Sequence, residues 1–206
     1  ANADPAGDGM NDKEAPEPTK RPMFTDASLS LLQVFPSLEV ISSSPAKDSV
    51  KLDLDSAALA KDSNFSVSIQ APIAFIKVVP NAKKVTYVKF ITDSNEQCVQ
   101  GNEVNGKKVY TFNSPTLTVL KPTSVKIEVK SEDEKTVKTY TLSISSSLIP
   151  PTNLKLKKSE NRDNIIVTFD RSKDSRVNGY VVLRALKGTN IPDSILNKTK
   201  ILHKGT

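Results

Sequence analysis

Residues 123–144, TSVKIEVKSEDEKTVKTYTLSI, are the stretch of this sequence that decides its fold. Apolar and polar side chains alternate in both halves of the stretch, which is typical of strands with one buried face. The apolar members are Val125, Ile127, Val129, Tyr140, Leu142 and Ile144. The charged run SEDEK between the halves indicates a turn. The stretch is therefore predicted to be a β-hairpin.

The same alternation recurs along much of the chain before this hairpin. It predicts further strands at residues 50–54, 65–69, 85–91, 109–112 and 117–120. Residues 29–38 fit either a strand or one or two turns of helix, and Asp55 is expected to cap one helical turn over residues 56–60. Together these elements predict an all-β chain with a β-sandwich over residues 25–147.

Two other segments organise the chain around this sandwich. Residues 1–24 are acidic, rich in proline and almost without large apolar side chains, so we expect a disordered tether there. Residues 148–152 contain two adjacent prolines, which cannot donate to a sheet, and are predicted to be a linker. A second module then occupies residues 153–206, with strands predicted at 154–156, 165–169 and 180–183.

The charge is concentrated in the second module. The whole chain has a formal net charge of +6 at pH 7. Residues 1–22 contribute −2, residues 23–150 contribute +1 and residues 151–206 contribute +7. Such a basic excess favours acidic partners through long-range attraction, although it also serves solubility.

The basic residues of the second module are the candidate binding site. Lys155 and Lys157 alternate with Leu154 and Leu156, so they are expected to share one exposed face. The full candidate set is Lys155, Lys157, Lys158, Arg171, Lys173 and Arg176. We expect these cations to hold a protein or an acidic glycan. Nucleic acid is not expected, because Trp is absent and aromatic residues make up 5% of the chain.

Residue counts argue against catalysis, cofactors and metal sites. The chain has one His (His203), one Cys (Cys98) and seven Gly, too few for the usual zinc sites, catalytic triads or phosphate loops. We therefore expect no enzyme activity, no cofactor and no bound metal. Cys98 is expected to fill a position in the core or at a sheet edge.

Two motifs have a second interpretation. Residues 101–108, GNEVNGKK, nearly match a phosphate-binding loop, but Asn105-Gly106 favours a two-residue hairpin turn. The acidic run Glu132–Glu134 offers oxygen ligands to a cation, although a solvated turn is the simpler interpretation.

The ending of the first module resembles the bacterial cadherin-like β-sandwich repeat. The similarity is carried by residues 123–144, a strand, an acidic turn and the strand KTYTLSI, within a resemblance that spans about residues 65–145. The resemblance implies an Ig-like sandwich. Cadherin calcium motifs are not visible.

Residues 150–206 resemble the first half of a fibronectin type III domain. The similarity is carried by PPTNL at residues 150–154, IIVTFD at 165–170 and DSRVNGYVVLR at 174–184. Phe169 lies where that family usually has its core Trp, and Tyr180 lies at its aromatic C-strand position. Both resemblances imply tandem Ig-like modules of a bacterial surface protein.

These features favour a non-catalytic, adhesin-like binding module located outside the cell or anchored at the bacterial outer membrane or periplasm. Membrane attachment is expected only through a lipid anchor upstream of Ala1, because no apolar run reaches the roughly 18 residues of a membrane helix. The alternatives are a structural spacer or assembly subunit of a surface complex, and an accessory domain of a glycan-active enzyme.

Overall fold

The computed structural model describes residues 20–38, 49–160 and 164–190. Within these residues the chain forms twelve strands and one short helix. In chain order they are β1 (Leu29–Phe35), β2 (Leu52–Asp55), α1 (Ser56–Lys61), β3 (Asn64–Ile69), β4 (Phe75–Pro80), β5 (Val85–Ile91), β6 (Glu96–Val99), β7 (Asn102–Val104), β8 (Lys107–Asn113), β9 (Thr123–Ser131), β10 (Val137–Ser146), β11 (Thr152–Lys158) and β12 (Ile165–Asp170). The predicted all-β class is confirmed.

The first ten strands form two five-stranded sheets. One sheet has the order β2-β1-β4-β8-β7, and the other has the order β3-β10-β9-β5-β6. Neighbouring strands are antiparallel except β3 and β10, which run parallel with Leu142 opposite Phe65. Strands β11 and β12 form a separate two-stranded antiparallel sheet.

The predicted central hairpin is present as β9 and β10. Val125 lies opposite Leu142, and Ile127 lies opposite Tyr140, so the apolar members of both strands share one face. In the turn, the Ser131 amide donates to the Thr136 carbonyl over 2.9 Å, and Glu134 adopts a φ of 62°. The alternation that predicts the hairpin is therefore also the alternation that buries it.

The core lies between the two sheets. Phe90 of β5 stacks on Phe112 of β8 across the sandwich, with ring centroids 4.6 Å apart and planes 5° from parallel. Tyr140 of β10 is fully buried, and its hydroxyl accepts a hydrogen bond of 3.0 Å from the Leu29 amide of β1. The sheets are thus joined by apolar packing and by one buried polar contact.

The short helix α1 follows its predicted capping. The Asp55 side chain accepts a hydrogen bond of 2.9 Å from the Ala58 amide, as expected for a helix N-cap. Leu59 is buried and fixes the helix against the core. Residues 29–38, for which the sequence allowed either a strand or helical turns, contain the strand β1 over Leu29–Phe35.

Several strand assignments differ from the sequence expectations, and β6 is among the strands that were not predicted. Residues 117–120 are irregular, because Leu117 is a single buried anchor whose amide donates to the Pro72 carbonyl over 2.8 Å. Strand β4 was not predicted, because its nearly continuous apolar run has no clear alternation. Residues 180–183 form no strand.

The start of the described chain is already attached to the sandwich. The Phe24 amide donates to Glu132 over 2.9 Å, and the Asp133 amide donates to the Phe24 carbonyl over 3.2 Å. The sequence predicts a tether that extends to residue 24. Because Phe24 is bonded to the β9–β10 turn, the last residues of this segment pack with the first module instead. Residues 1–19 of the tether and residues 191–206 of the second module lie outside the described residues.

Candidate functional site

Strand β11 carries three of the predicted binding residues. Lys155 lies opposite Thr168, Lys157 opposite Ile166 and Lys158 opposite Ile165, all on the partner strand β12. Because side chains alternate along a strand, Lys155 and Lys157 share one face and Lys158 points to the other. All seven residues of β11 are exposed.

The opposite face of the β11–β12 sheet carries exposed apolar side chains. Leu154 and Leu156 are each 68% exposed, and Ile165 is 52% exposed. A two-stranded sheet cannot bury a face by itself, so these side chains remain in contact with solvent. One face of the hairpin therefore carries Lys155 and Lys157 with Ile166, and the other carries the exposed leucines and Ile165 with Lys158.

The loop after β12 carries the other predicted cations. Arg171 and Lys173 are exposed. Between them, Ser172 is held by its hydroxyl, which donates to the Ile149 carbonyl over 2.5 Å, and by its amide, which donates to the Tyr180 hydroxyl over 2.6 Å. Tyr180 in turn packs on Phe169, with ring centroids 4.8 Å apart. The loop thus presents two cations from a fixed backbone.

Arg176 behaves differently from the other five cations. Its side chain is 12% exposed and turns toward the first module. There it donates to the Leu117 carbonyl over 3.1 Å, the Ser146 hydroxyl over 2.7 Å and the Ser147 carbonyl over 2.9 Å. Arg176 is therefore engaged in contacts at the junction between the modules, and the exposed members of the predicted set are Lys155, Lys157, Lys158, Arg171 and Lys173.

Asp174 is the counter-ion that holds Arg176 in place. The two side chains are 2.7 Å apart, and the Asp174 carboxylate is fully shielded from solvent. The same carboxylate accepts a hydrogen bond of 3.0 Å from the Ile149 amide in the linker. The hydrogen bond from Arg176 contributes most to lowering the pKa of Asp174 to about 2. The carboxylate is therefore ionised at neutral pH.

The acidic run of the β9–β10 turn has structural partners. Glu132 forms an ion pair of 2.6 Å with Arg21, and Asp133 accepts hydrogen bonds from the Ser131 hydroxyl and the Lys135 amide. The bond from Arg21 lowers the pKa of Glu132, and the bond from Ser131 lowers the pKa of Asp133. These carboxylates tie the turn and the N-terminal segment together.

The segment that resembles a phosphate loop is a hairpin. Val104 of β7 lies opposite Lys107 of β8, and the two turn residues Asn105 and Gly106 have φ angles of 51° and 76°. Positive φ at both positions is what a two-residue hairpin turn requires. Cys98 is exposed on the edge strand β6, so the expectation of a sheet-edge position is correct and that of a core position is not.

A polar cluster on the outer face of the second sheet was not predicted. The Tyr87 hydroxyl donates to Glu128 over 2.6 Å, and Lys89 lies between Glu128 at 3.7 Å and Glu96 at 3.8 Å. The bond to Glu128 is the main cause that raises the pKa of Tyr87 to about 12. Sequence patterns could not indicate this cluster, because it depends on the register between β5 and β9.

The described residues contain neither a cluster of metal ligands nor a membrane-spanning helix. No group of three or more His, Cys, Asp or Glu residues converges there as metal ligands would. The one helix among these residues, α1, is not long and apolar enough to cross a membrane.

The chain matches no protein-family model, and no curated protein matches its sequence. A function for it is consequently argued from its own geometry and charge.

Proposed function

We propose that this chain is a non-catalytic binding module of a bacterial cell surface that recognises a protein or an acidic glycan. The contact surface is the basic face of its second module. The Ig-like character of the modules and the resemblances to cadherin-like and fibronectin type III repeats belong to the same proposal. Such modules serve as adhesins, spacers or accessory domains, so the choice of a binding role depends on the exposed cations and not on the fold.

One observation carries the proposal. Five cations of the second module, on β11 and in the loop after β12, are exposed: Lys155, Lys157, Lys158, Arg171 and Lys173. Among the described residues, none of them forms an ion pair with a carboxylate. Their charges are therefore available to an acidic partner, and the exposed Leu154 and Leu156 share the face of β11 that carries Lys158.

The test is binding of the full chain to matrix proteins, heparin and peptidoglycan at roughly 0.05 and 0.15 M salt, between which the screening length shortens. The double variant Lys155→Glu/Lys157→Glu is expected to lose saturable binding to the ligand found. The matched control is Lys121→Glu/Lys126→Glu, which makes the same charge change at exposed positions of the first module. Equal loss in both variants, or no saturable binding, contradicts the proposal.

A second role, that of a structural spacer, is favoured by the junction. The contacts of Arg176 with Leu117, Ser146 and Ser147 fasten the second module to the first. A spacer needs such a fixed junction and needs no ligand. A chain that binds nothing on the panel, yet positions a partner domain only while Arg176 is intact, would support this second role.

A further inference from the structure

The sandwich has a basic cleft at the end of β10 opposite the junction with the second module. Arg21, Lys83, Lys84 and Lys108 converge there around a space of about 400 Å³, together with Phe24, Glu103 and Gly106. They come from the N-terminal segment, the β4–β5 connection and the β7–β8 hairpin. The ten residues of β10 place this cleft and the junction roughly 30 Å apart.

The cations of the cleft are only partly neutralised. Arg21 is paired with Glu132, and the charge of Lys84 also acts on Glu132, whose pKa it helps to lower. Lys83 and Lys108 form no ion pair within the described residues. Because Glu103 is the one acidic residue among those lining the cleft, the lining as a whole is cationic.

A second space of about 590 Å³ lies beside the cleft, and Lys108 lines both. It is lined by Val85–Tyr87 of β5, by Cys98–Gly101 and by Tyr110. The two neighbouring spaces form what we call the edge groove. Its first part is cationic, and its second part has both polar and apolar lining residues.

A free strand edge borders the groove. Strand β6 pairs with β5 only between Val88 and Ile91, and it ends at Val99 opposite Val88. On that side, residues 85–87 of β5 consequently face no strand among the described residues. An unpaired strand edge offers backbone donors and acceptors to an incoming extended chain.

We propose that the edge groove binds an extended acidic peptide segment of a partner protein. The peptide adds alongside residues 85–87 through backbone hydrogen bonds and places carboxylates near Lys83, Lys84 and Lys108. Its apolar side chains contact the partly exposed Val99. This site is separate from the basic face of the second module.

The strand edge favours a peptide over an anionic polysaccharide. Both ligands can satisfy the lysines, because sulfates and carboxylates are equally attracted by exposed ammonium groups. A polysaccharide has no regular backbone N–H and C=O groups with which to continue a sheet. Only a peptide uses the cations and the edge together.

The test measures binding of a fluorescent peptide in which Glu alternates with Val to the full chain, by fluorescence anisotropy. A peptide of the same sequence with alternate backbone nitrogens methylated removes the hydrogen bonds and keeps the charge. The double variant Lys83→Glu/Lys108→Glu is expected to weaken binding of the unmodified peptide about tenfold, the size expected for two exposed ion pairs. The control is again Lys121→Glu/Lys126→Glu.

The proposal is supported by binding that is lost with the methylated peptide, weakened about tenfold by the groove variant and unchanged in the control. Slower hydrogen exchange at the amides of Val85–Tyr87 in the complex places the peptide at the edge. Absence of peptide binding, equal binding of the methylated peptide, or equal weakening in the control overturns it. Heparin binding to the groove without peptide binding also overturns it.

A further outcome separates this site from the proposed function. If the peptide affinity falls with Lys155→Glu/Lys157→Glu and not with Lys83→Glu/Lys108→Glu, the peptide is held by the second module. That result overturns the edge groove as a peptide site and leaves the proposed function standing.

Discussion

The carboxylate of Asp174 and the guanidinium of Arg176 form an ion pair of 2.7 Å that joins the two modules. Both residues lie in the loop after β12, yet each also has a hydrogen bond that reaches outside it, to the first module or to the linker. Arg176 donates to the Leu117 carbonyl, and Asp174 accepts from the Ile149 amide. Because the carboxylate is fully shielded from solvent, removal of its cation leaves an uncompensated buried charge.

Replacing Arg176 with Ala is expected to loosen the junction. The change removes a charge-assisted pair and three hydrogen bonds to the first module, which is expected to cost about 2–4 kcal/mol of docking free energy. Hydrogen exchange of the Ile149 amide reports the result, because that amide is bonded to Asp174. We expect its exchange to accelerate at least about tenfold.

The matched control for this change is Lys173→Ala. Lys173 lies in the same loop, is exposed and forms no ion pair among the described residues. Its removal is expected to leave the exchange of Ile149 unchanged. Equal acceleration in both variants would show that the loop, and not the Arg176 contacts, fixes the junction.

The same ion pair predicts weakening of the junction in acid. The pKa of Asp174 is lowered from 3.8 to about 2, chiefly by the hydrogen bond from Arg176. A carboxyl whose pKa is lower in the docked state stabilises that state above its unfolded pKa and loses this contribution as the pH falls toward 2. The contribution is about 2 kcal/mol, and it is lost between roughly pH 4 and pH 2.

The pKa of Asp174 is measured by following the chemical shift of its carboxyl carbon against pH by nuclear magnetic resonance. The midpoint is expected near pH 2 in the native chain and higher in Arg176→Ala, where the cation is missing. A native midpoint at the usual value for Asp, unchanged in the variant, would be incompatible with the pair.

The sequence predicted the parts of the fold that depend on local patterns. The β9–β10 hairpin follows from alternation around a short turn, and the helix α1 follows from the cap at Asp55. Strand β4 was missed because Lys77 is its single polar residue, so its apolar run shows no clear alternation.

The candidate site was predicted by composition more than by position. Lys155 and Lys157 are exposed as expected, but alternation is not the reason, because Leu154 and Leu156 of the same strand are exposed as well. The role of Arg176 could not be predicted, because Leu117 is 59 residues away and contributes a backbone carbonyl. The edge groove is equally hidden in the sequence, since residues at positions 21, 83 and 108 meet only in the fold.

Removing the hydroxyl of Tyr140 is expected to destabilise the sandwich. That hydroxyl accepts a hydrogen bond of 3.0 Å from the Leu29 amide within the core. The variant Tyr140→Phe leaves this buried donor without a partner, which costs about 1–3 kcal/mol. Urea denaturation followed by circular dichroism measures the free energy of unfolding.

The comparison variant is Tyr87→Phe, which deletes the same atom at a partly exposed position. Water can replace the bond between Tyr87 and Glu128, so the loss is expected to stay below about 1 kcal/mol. If both variants lose the same free energy, burial of the Leu29 amide contributes nothing to the effect.

Adding one methyl group at Gly101 is expected to destabilise the side of the sandwich that borders the edge groove. A Cβ at this position would lie 2.7 Å from Cζ of Tyr110 and 2.9 Å from Cγ of Lys108. Lys108 can move into solvent, whereas the Tyr110 ring is 5% exposed and packed in the core. Gly101→Ala is therefore expected to cost about 1–3 kcal/mol, typical of overpacking, in urea denaturation.

The control for this substitution is Gly179→Ala. A Cβ at Gly179 has no atom within 4 Å, so the same substitution there meets no steric obstacle and is expected to change stability by less than about 0.5 kcal/mol. Gly101→Ala should also shift the resonances of the Tyr110 ring, because the ring has to move for the methyl group to fit. Unchanged stability together with unchanged Tyr110 resonances would mean that the backbone around Gly101 yields instead of the ring.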